Sequence, residues 1–202
     1  GHFYHAGDPR FARQDAVLDG LAESVAIEPR RRCRLYGMMR WGNMVCSHSA
    51  GPTVAYVRHM HRDPENALRH VGPYNNEAND QIMGTWGYFL HSGRREHFLL
   101  AQSYSRNVAD VGIIHAHPGD PGAVGLMHYH NCHQWSGGPS PSHTLTAGIL
   151  TDYYLTGNRR LLDVAREVAD WAVRHREPAG IVSCRHGTLH RELTGPLWCL
   201  LE

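Results

Sequence analysis

The stretch YLTGNRRLLDVAREVADWAVRH, Tyr154–His175, holds the end of one helical pattern, a tight turn and the whole of the next pattern. Leu161, Leu162, Ala165, Val168, Ala169 and Ala172 recur at helical spacing and form one apolar stripe, which predicts a helix over Arg159–His175. Upstream, Leu145, Ile149, Leu150, Tyr153 and Tyr154 predict a partner helix over His143–Leu155. That helix is entered through Ser140 as N-cap and Pro141 at the first helical position. Gly157 stands where a helix ends in the left-handed conformation, which glycine adopts without a Cβ penalty. Two helices joined this tightly form an antiparallel αα-hairpin.

The same turn occurs twice more. YHAGDPRF (Tyr4–Phe11) and FLHSGRREHF (Phe89–Phe98) also run from an apolar helix end through a glycine to a charged helix start. Gly93 and Gly157 lie 64 residues apart, and at that offset Phe98 matches Leu162, Leu100 matches Val164, Ala101 matches Ala165 and Tyr104 matches Val168. A period of this size suits a two-helix unit with one long loop. It predicts a second hairpin, Asp80–Leu90 with Arg94–Ala109. It also predicts a second-of-pair helix over Asp8–Ala26 and a first-of-pair helix over Arg191–Leu201. His91 and His97 flank a hairpin turn and are expected in solvent; Trp86 and Trp171 are expected to pack. Cys33–Val45 reads as a short extended segment, and Arg58–Gly72 fits neither pattern. The fold class is all-α, an α/α hairpin array of solenoid or closed-toroid type. One domain is expected over residues 1–202, incomplete at both ends, with hairpin units around 80–109, 140–175 and 191–202.

In such an array the first helices of the pairs run parallel, so the long loops feeding their N-termini gather on one face. Those loops are Val71–Asn79, Val111–Gly138 and Arg176–His190. The face then collects Asn75, Asn76, Glu77, His115, His117, His128, His130, His133, His143, His186 and His190. Helix N-termini add partial positive charge there, which favours an anionic ligand.

Composition narrows the chemistry. The formal charge of +1 predicts no nucleic-acid or membrane-surface partner, and no apolar run is long enough to span a bilayer. All twenty basic residues are Arg, so lysine Schiff-base chemistry is excluded while planar forks for carboxylates abound. The five cysteines include no CxxC pair, so neither a zinc ribbon nor a disulfide scaffold is supported. Secreted, periplasmic and cytoplasmic settings all stay open. Seventeen histidines are many for this length. Among them His115-x-His117 and His128-x-His130-x-x-His133 supply five imidazoles, so a divalent metal, zinc or calcium, is one reading of the long loop. Against it, those residues lie in a Gly/Pro-rich loop rather than on a helical HxxxH frame.

GMMRWGNM (Gly37–Met44), YNNEANDQ (Tyr74–Gln81), VADVGIIHAHP (Val108–Pro118), GLMHYHNCH (Gly125–His133) and PSPSHTLTAGILTDYYLTGN (Pro139–Asn158) follow one another in this order. Together they resemble the rhamnogalacturonan exolyase-like polysaccharide lyases over roughly Gly37–His175. The resemblance implies part of an (α/α)6-type toroid and β-elimination at a uronic acid, with an acidic polysaccharide or oligosaccharide as partner. Asn43 and a position at or near Gly112 depart from the acidic residues the family pattern leads one to expect.

Such a reaction must neutralise the uronate carboxylate, remove the proton α to it and protonate the leaving glycosidic oxygen. Asn75 and Asn76 at a helix start, with Arg40, suit the first task. His128, Tyr129 and His130, with His143, suit the proton transfers. Trp41 and Trp135 offer sugar-stacking faces, and Glu77 and His186 complete the expected substrate contacts. Each has a plainer role open to it: Asn75, Asn76 and Glu77 as a helix cap, and His143 as a partner of the backbone. Two other functions fit the same fold. A toroid glycoside hydrolase would need two carboxylates across the scissile bond, with Glu77, Asp80, Asp120 and Glu192 on hand. A carbohydrate-binding or scaffold part of a larger toroid would need no catalytic group.

Overall fold

The computed structural model describes residues 7–32, 44–45, 73–74, 81–130 and 136–175. In chain order these form a 3-10 turn Pro9–Phe11, α1 Ala12–Leu21, a π-helical segment Ala22–Ile27, α2 Glu28–Arg32, β1 Met44–Val45 and β2 Pro73–Tyr74. Then come α3 Gln81–Ser92, α4 Arg95–Asn107, a π turn Val108–Gly112 and a 3-10 turn Pro121–Ala123. Strands β3 Met127–His130 and β4 Ser136–Ser140, a 3-10 turn Pro141–His143, α5 Ala147–Thr156 and α6 Arg159–Arg174 complete the order. The fold is all-α in class, as the periodicity predicts. The chain divides into two compact units, Gly1–Tyr74 with Gly84–Tyr104 and Asn75–Met83 with Ser105–Glu202.

In the first unit Gly7 turns the chain at φ +84°, and Asp8 caps the following turn by accepting from the Arg10 amide at 2.9 Å. The helix expected over Asp8–Ala26 runs on to Arg32, interrupted by the π segment. Ala22, Ile27, Trp86, Leu100, Ala101 and Tyr104 are buried. Trp86 is fully buried and meets Phe89 and Phe98 in T-shaped contacts at centroid distances of 6.0 and 5.5 Å, so it is core, as expected. His91 and His97 are not in solvent. His97 is 1 % exposed, with Nδ1 sharing hydrogen with the Ser92 hydroxyl at 2.7 Å. His91 sets Nε2 3.0 Å from the Asp15 carboxylate. The 64-residue offset aligns His97 with Leu161, also buried, so helix phase outweighs side-chain polarity at that position. Of the extended segment expected near 33–45, Met44–Val45 is described; it pairs antiparallel with Pro73–Tyr74.

In the second unit α5 and α6 form the expected hairpin. Gly157, at φ +72°, donates to the Tyr153 carbonyl at 2.8 Å; Gly93, at φ +65°, donates to the Phe89 carbonyl at the same distance. The two turns are thus alike bond for bond at the predicted offset. Val164, Ala165 and Val168 are buried, as are their counterparts Leu100, Ala101 and Tyr104. Asn158 caps α6 by accepting from the Arg160 amide at 3.2 Å. The start of α5 differs from expectation. Ser140-Pro141 opens only a three-residue 3-10 turn, and the α-helix begins at Ala147. Thr144 is extended at ψ 104°, with its hydroxyl donating to the Ser140 carbonyl and accepting from the Met127 amide, so tertiary bonds delay the helix. Arg58–Gly72 and Arg191–Leu201 lie outside the described residues.

Candidate functional site

The long loop between α4 and α5 is built by hydrogen bonds rather than by a hydrophobic period. At the end of α4 the Ile113 amide reaches back five residues to the Val108 carbonyl at 2.9 Å, closing the π turn and releasing the chain as an extended arm. That arm, Ile113–Ile114, meets a returning arm, Gly125–Met127. Ile113 bridges Met127, the Ile114 amide donates to Leu126 at 2.8 Å, and the Gly125 amide donates to Ile114 at 2.9 Å. The bend between the arms is fixed by Asp120. Its amide donates to His117 Nδ1 at 2.9 Å and its carboxylate accepts from the Gly122 amide at 3.1 Å.

The closed loop lies along α6. The Trp171 indole N–H donates to the Gly122 carbonyl at 2.7 Å, and Leu126 packs with buried Trp171 and Ala172, so Trp171 is a packing residue as expected. Gly125 sits at φ +97°, where a Cβ would lie 2.7 Å from the Glu167 carbonyl oxygen and 2.9 Å from Trp171 Cβ. Only glycine fits there, on both conformational and steric grounds. His115 is held on the same helix. Its Nδ1 lies 2.6 Å from Glu167 Oε2 and its Nε2 lies 2.6 Å from the Ala109 carbonyl. The Arg160 guanidinium approaches Nε2 at 3.1 Å and meets Asp110 at 3.2 Å. Both ring nitrogens of His115 are therefore engaged by protein groups, and a metal bound through that ring would have to displace one of them. Among the described residues no group of three or more His, Cys, Asp or Glu is arranged to hold a metal ion.

The returning arm becomes β3, which carries His128, Tyr129 and His130. It pairs antiparallel with β4 in the register Met127↔Ser140, His128↔Pro139 and His130↔Ser136. The register slips between His128 and His130, so Gly137 and Gly138 together oppose Tyr129. This two-against-one bulge re-aims the strand at the candidate proton-transfer residues. Immediately after β4 comes a buried polar chain. The Ser140 and Ser142 hydroxyls share hydrogen at 2.8 Å, and Ser142 Oγ lies 2.9 Å from His143 Nδ1. His143 is 1 % exposed, so it is enclosed rather than open to solvent.

A second buried polar group lies on α5. Asp152 is 0 % exposed; Thr156 Oγ1 donates to its Oδ1 at 2.9 Å, and its Oδ2 has no hydrogen-bond partner among the described residues. Burial raises the Asp152 carboxyl above its usual range, and the Thr156 and Ser105 hydroxyls and the Arg106 charge only partly offset that.

Of the residues selected from sequence, His115, His117 and His143 are described in full and His128, Tyr129 and His130 through their strand. Arg40, Trp41, Asn75, Asn76, Glu77, His133, Trp135 and His186 lie outside the described residues. The sequence reading missed Glu167, Arg160 and the Ser140–Ser142 pair. Arg160, Glu167 and Trp171 follow one another at spacings of seven and four, which puts them on one stripe beside the core stripe of α6. That second stripe was the available signal.

Residues 71–187 match the family model described as the PcRGLX-like protein C-terminal alpha/alpha toroid domain. The chain is also similar to "Uncharacterized protein YetA" of Bacillus subtilis (strain 168). The two are 30% identical over 172 residues, which is 82% of this chain and 18% of that protein.

Proposed function

The chain belongs to the PcRGLX-like family of C-terminal α/α-toroid domains, and on that premise we propose that it is part of a polysaccharide lyase cleaving a uronic-acid-containing glycan by β-elimination. The observation that carries this reading is the extent of the family match. Residues 71–187 take in the Asn75-Asn76-Glu77 segment, the His128-Tyr129-His130 strand and His186 within one domain. Support also comes from the resemblance to rhamnogalacturonan exolyase-like lyases, whose reaction suits a loop rich in imidazole and phenol.

In the proposed reaction Asn75, Asn76 and Arg40 neutralise the uronate carboxylate, on which charge builds as the α-proton leaves. Among His128, Tyr129 and His130, one group takes that proton and another protonates the glycosidic oxygen as its bond to the β-carbon breaks. The electron pair of the C–H bond becomes the new C=C bond. His143 contributes through its contact with Ser142, by holding the segment that follows β4. Trp41 and Trp135 stack on sugar rings, and Glu77 and His186 complete the substrate contacts.

The test is to incubate the full-length protein with rhamnogalacturonan and other polyuronides while following ultraviolet absorbance. A rise signals the unsaturated uronide made by elimination. New reducing ends without absorbance would replace this reading with hydrolysis. Silence in both, with glycan binding kept, would replace it with a scaffold. The Tyr129→Phe and His130→Ala variants are each expected to lower kcat by at least about a hundredfold.

A further inference from the structure

We infer that Glu167, with His115, is a positioning pair that sets the strand carrying His128, Tyr129 and His130. The inference rests on the reading of that strand as the proton-transfer element. Glu167 touches both arms of the closed loop. Its carboxylate bonds His115 at 2.6 Å, one residue beyond the outgoing arm. Its main-chain carbonyl is the floor on which Gly125 of the returning arm sits, with no room for a Cβ. The two arms are bonded to each other through Ile114 with Gly125 and Leu126. Beyond Gly125 the chain is extended and enters β3 within two residues, so displacement of the arms at Glu167 is passed to His128 through a short, hydrogen-bonded stem.

Strand β3 is also tied at its start to the segment around β4, the Met127 amide donating to Thr144 Oγ1 at 2.8 Å and Met127 pairing with Ser140. Between His128 and His130 the pairing with β4 slips through Gly137 and Gly138, the residue pair least able to impose a register. Past that slip the setting of the strand is carried from its Met127 end, where the α6 contacts of Glu167 with His115 and of Trp171 with Gly122 act beside the Thr144 bond. Neither Glu167 nor His115 is asked to touch substrate. His115 has both ring nitrogens committed to Glu167 and to the Ala109 carbonyl, and Arg160 closes the remaining side.

Three variants of the full-length protein test this: Glu167→Ala, His115→Ala and Glu167→Gln, the last keeping an oxygen acceptor for His115. Amide hydrogen exchange is read at Leu126–His130 and at the interior of α6, beside kcat and KM on whichever polyuronide the wild type cleaves. Both alanine variants are expected to speed exchange at Leu126–His130 at least about tenfold with α6 unchanged. They should lower kcat by about ten- to a hundredfold with KM within about twofold, and Glu167→Gln should restore most of both. Unchanged exchange at Leu126–His130 overturns the inference. So does a loss spread evenly over the unit, or a kinetic loss that Glu167→Gln does not restore. If the wild type yields no unsaturated product, the lyase reading fails by itself. The exchange measurement then still decides whether the pair sets the strand.

Discussion

At the scale of the residue, the buried carboxyl on α5 makes the sharpest statement about stability. Asp152 is fully enclosed and its pKa is raised above the usual 3.8, chiefly by desolvation. A raised folded-state value means that the favourable contribution is complete below the unfolded pKa and is lost as pH climbs through the folded one. Asp152→Asn, which keeps an acceptor for Thr156, is therefore expected to match the wild type in acid and to exceed it at neutral pH. Urea midpoints at about pH 3.5 and pH 7 check this. Gly125→Ala should act in the opposite direction, by about 2–4 kcal/mol, since the new methyl meets main chain that cannot yield. At this scale the sequence was legible where conformation singles out a residue type, as at Gly93 and Gly157. It was misread where a polar side chain occupies a core phase. His97 looked solvated by its chemistry, yet the repeat had already aligned it with Leu161.

At the scale of the element, α6 was readable because its stripe and its glycine turn agree, and the Asn158 cap found in the structure fits them. Leu161→Ala is expected to cost about 2–5 kcal/mol and Asn158→Ala about 1 kcal/mol, both measurable as thermal or denaturant shifts. The elements that escaped are those whose local signal is weak. The π segments at Ala22–Ile27 and Val108–Gly112 depend on which carbonyl an amide reaches, five residues back rather than four, and no residue spacing announces that. β4 reads SGGPS, with no apolar alternation and little strand propensity, so it is a strand because β3 pairs with it. The late start of α5 has the same origin. Ser140-Pro141 is a sound helix-start signal, overruled when Thr144 is taken up by Met127 and Ser140.

At the scale of the whole molecule, the hairpin repeat was legible from the glycine turns 64 residues apart, and the family resemblance from the order of the loop motifs between phased helices. The candidate site was legible as a set of residue types on long loops. It was not legible as a geometry, because contacts such as His115 with Glu167 join positions 52 residues apart with no pattern linking them. The charge balance carries its own expectation. Under the proposed lyase function, a net charge of +1 with no lysine would leave little steering of a polyuronide by this chain's overall field, and recognition would fall to guanidinium and amide contacts at short range. The KM for an acidic glycan is therefore expected to change by less than about threefold between low and physiological salt, where a basic groove would show a steep dependence.

The loop bound to α6 is closed at its stem and exposed at its tip. Pro118 and Gly119 face solvent, while His115 on one side and Gly122 on the other are each fastened to the helix independently. A protease that cuts between them would free no fragment of the loop, and a short peptide spliced in at that point would hang outside the fold. The tip of the loop is thus a place where the polypeptide can be opened or lengthened while β3 keeps its bonds. A tag inserted there should leave the melting temperature within about 2 °C of the parent protein.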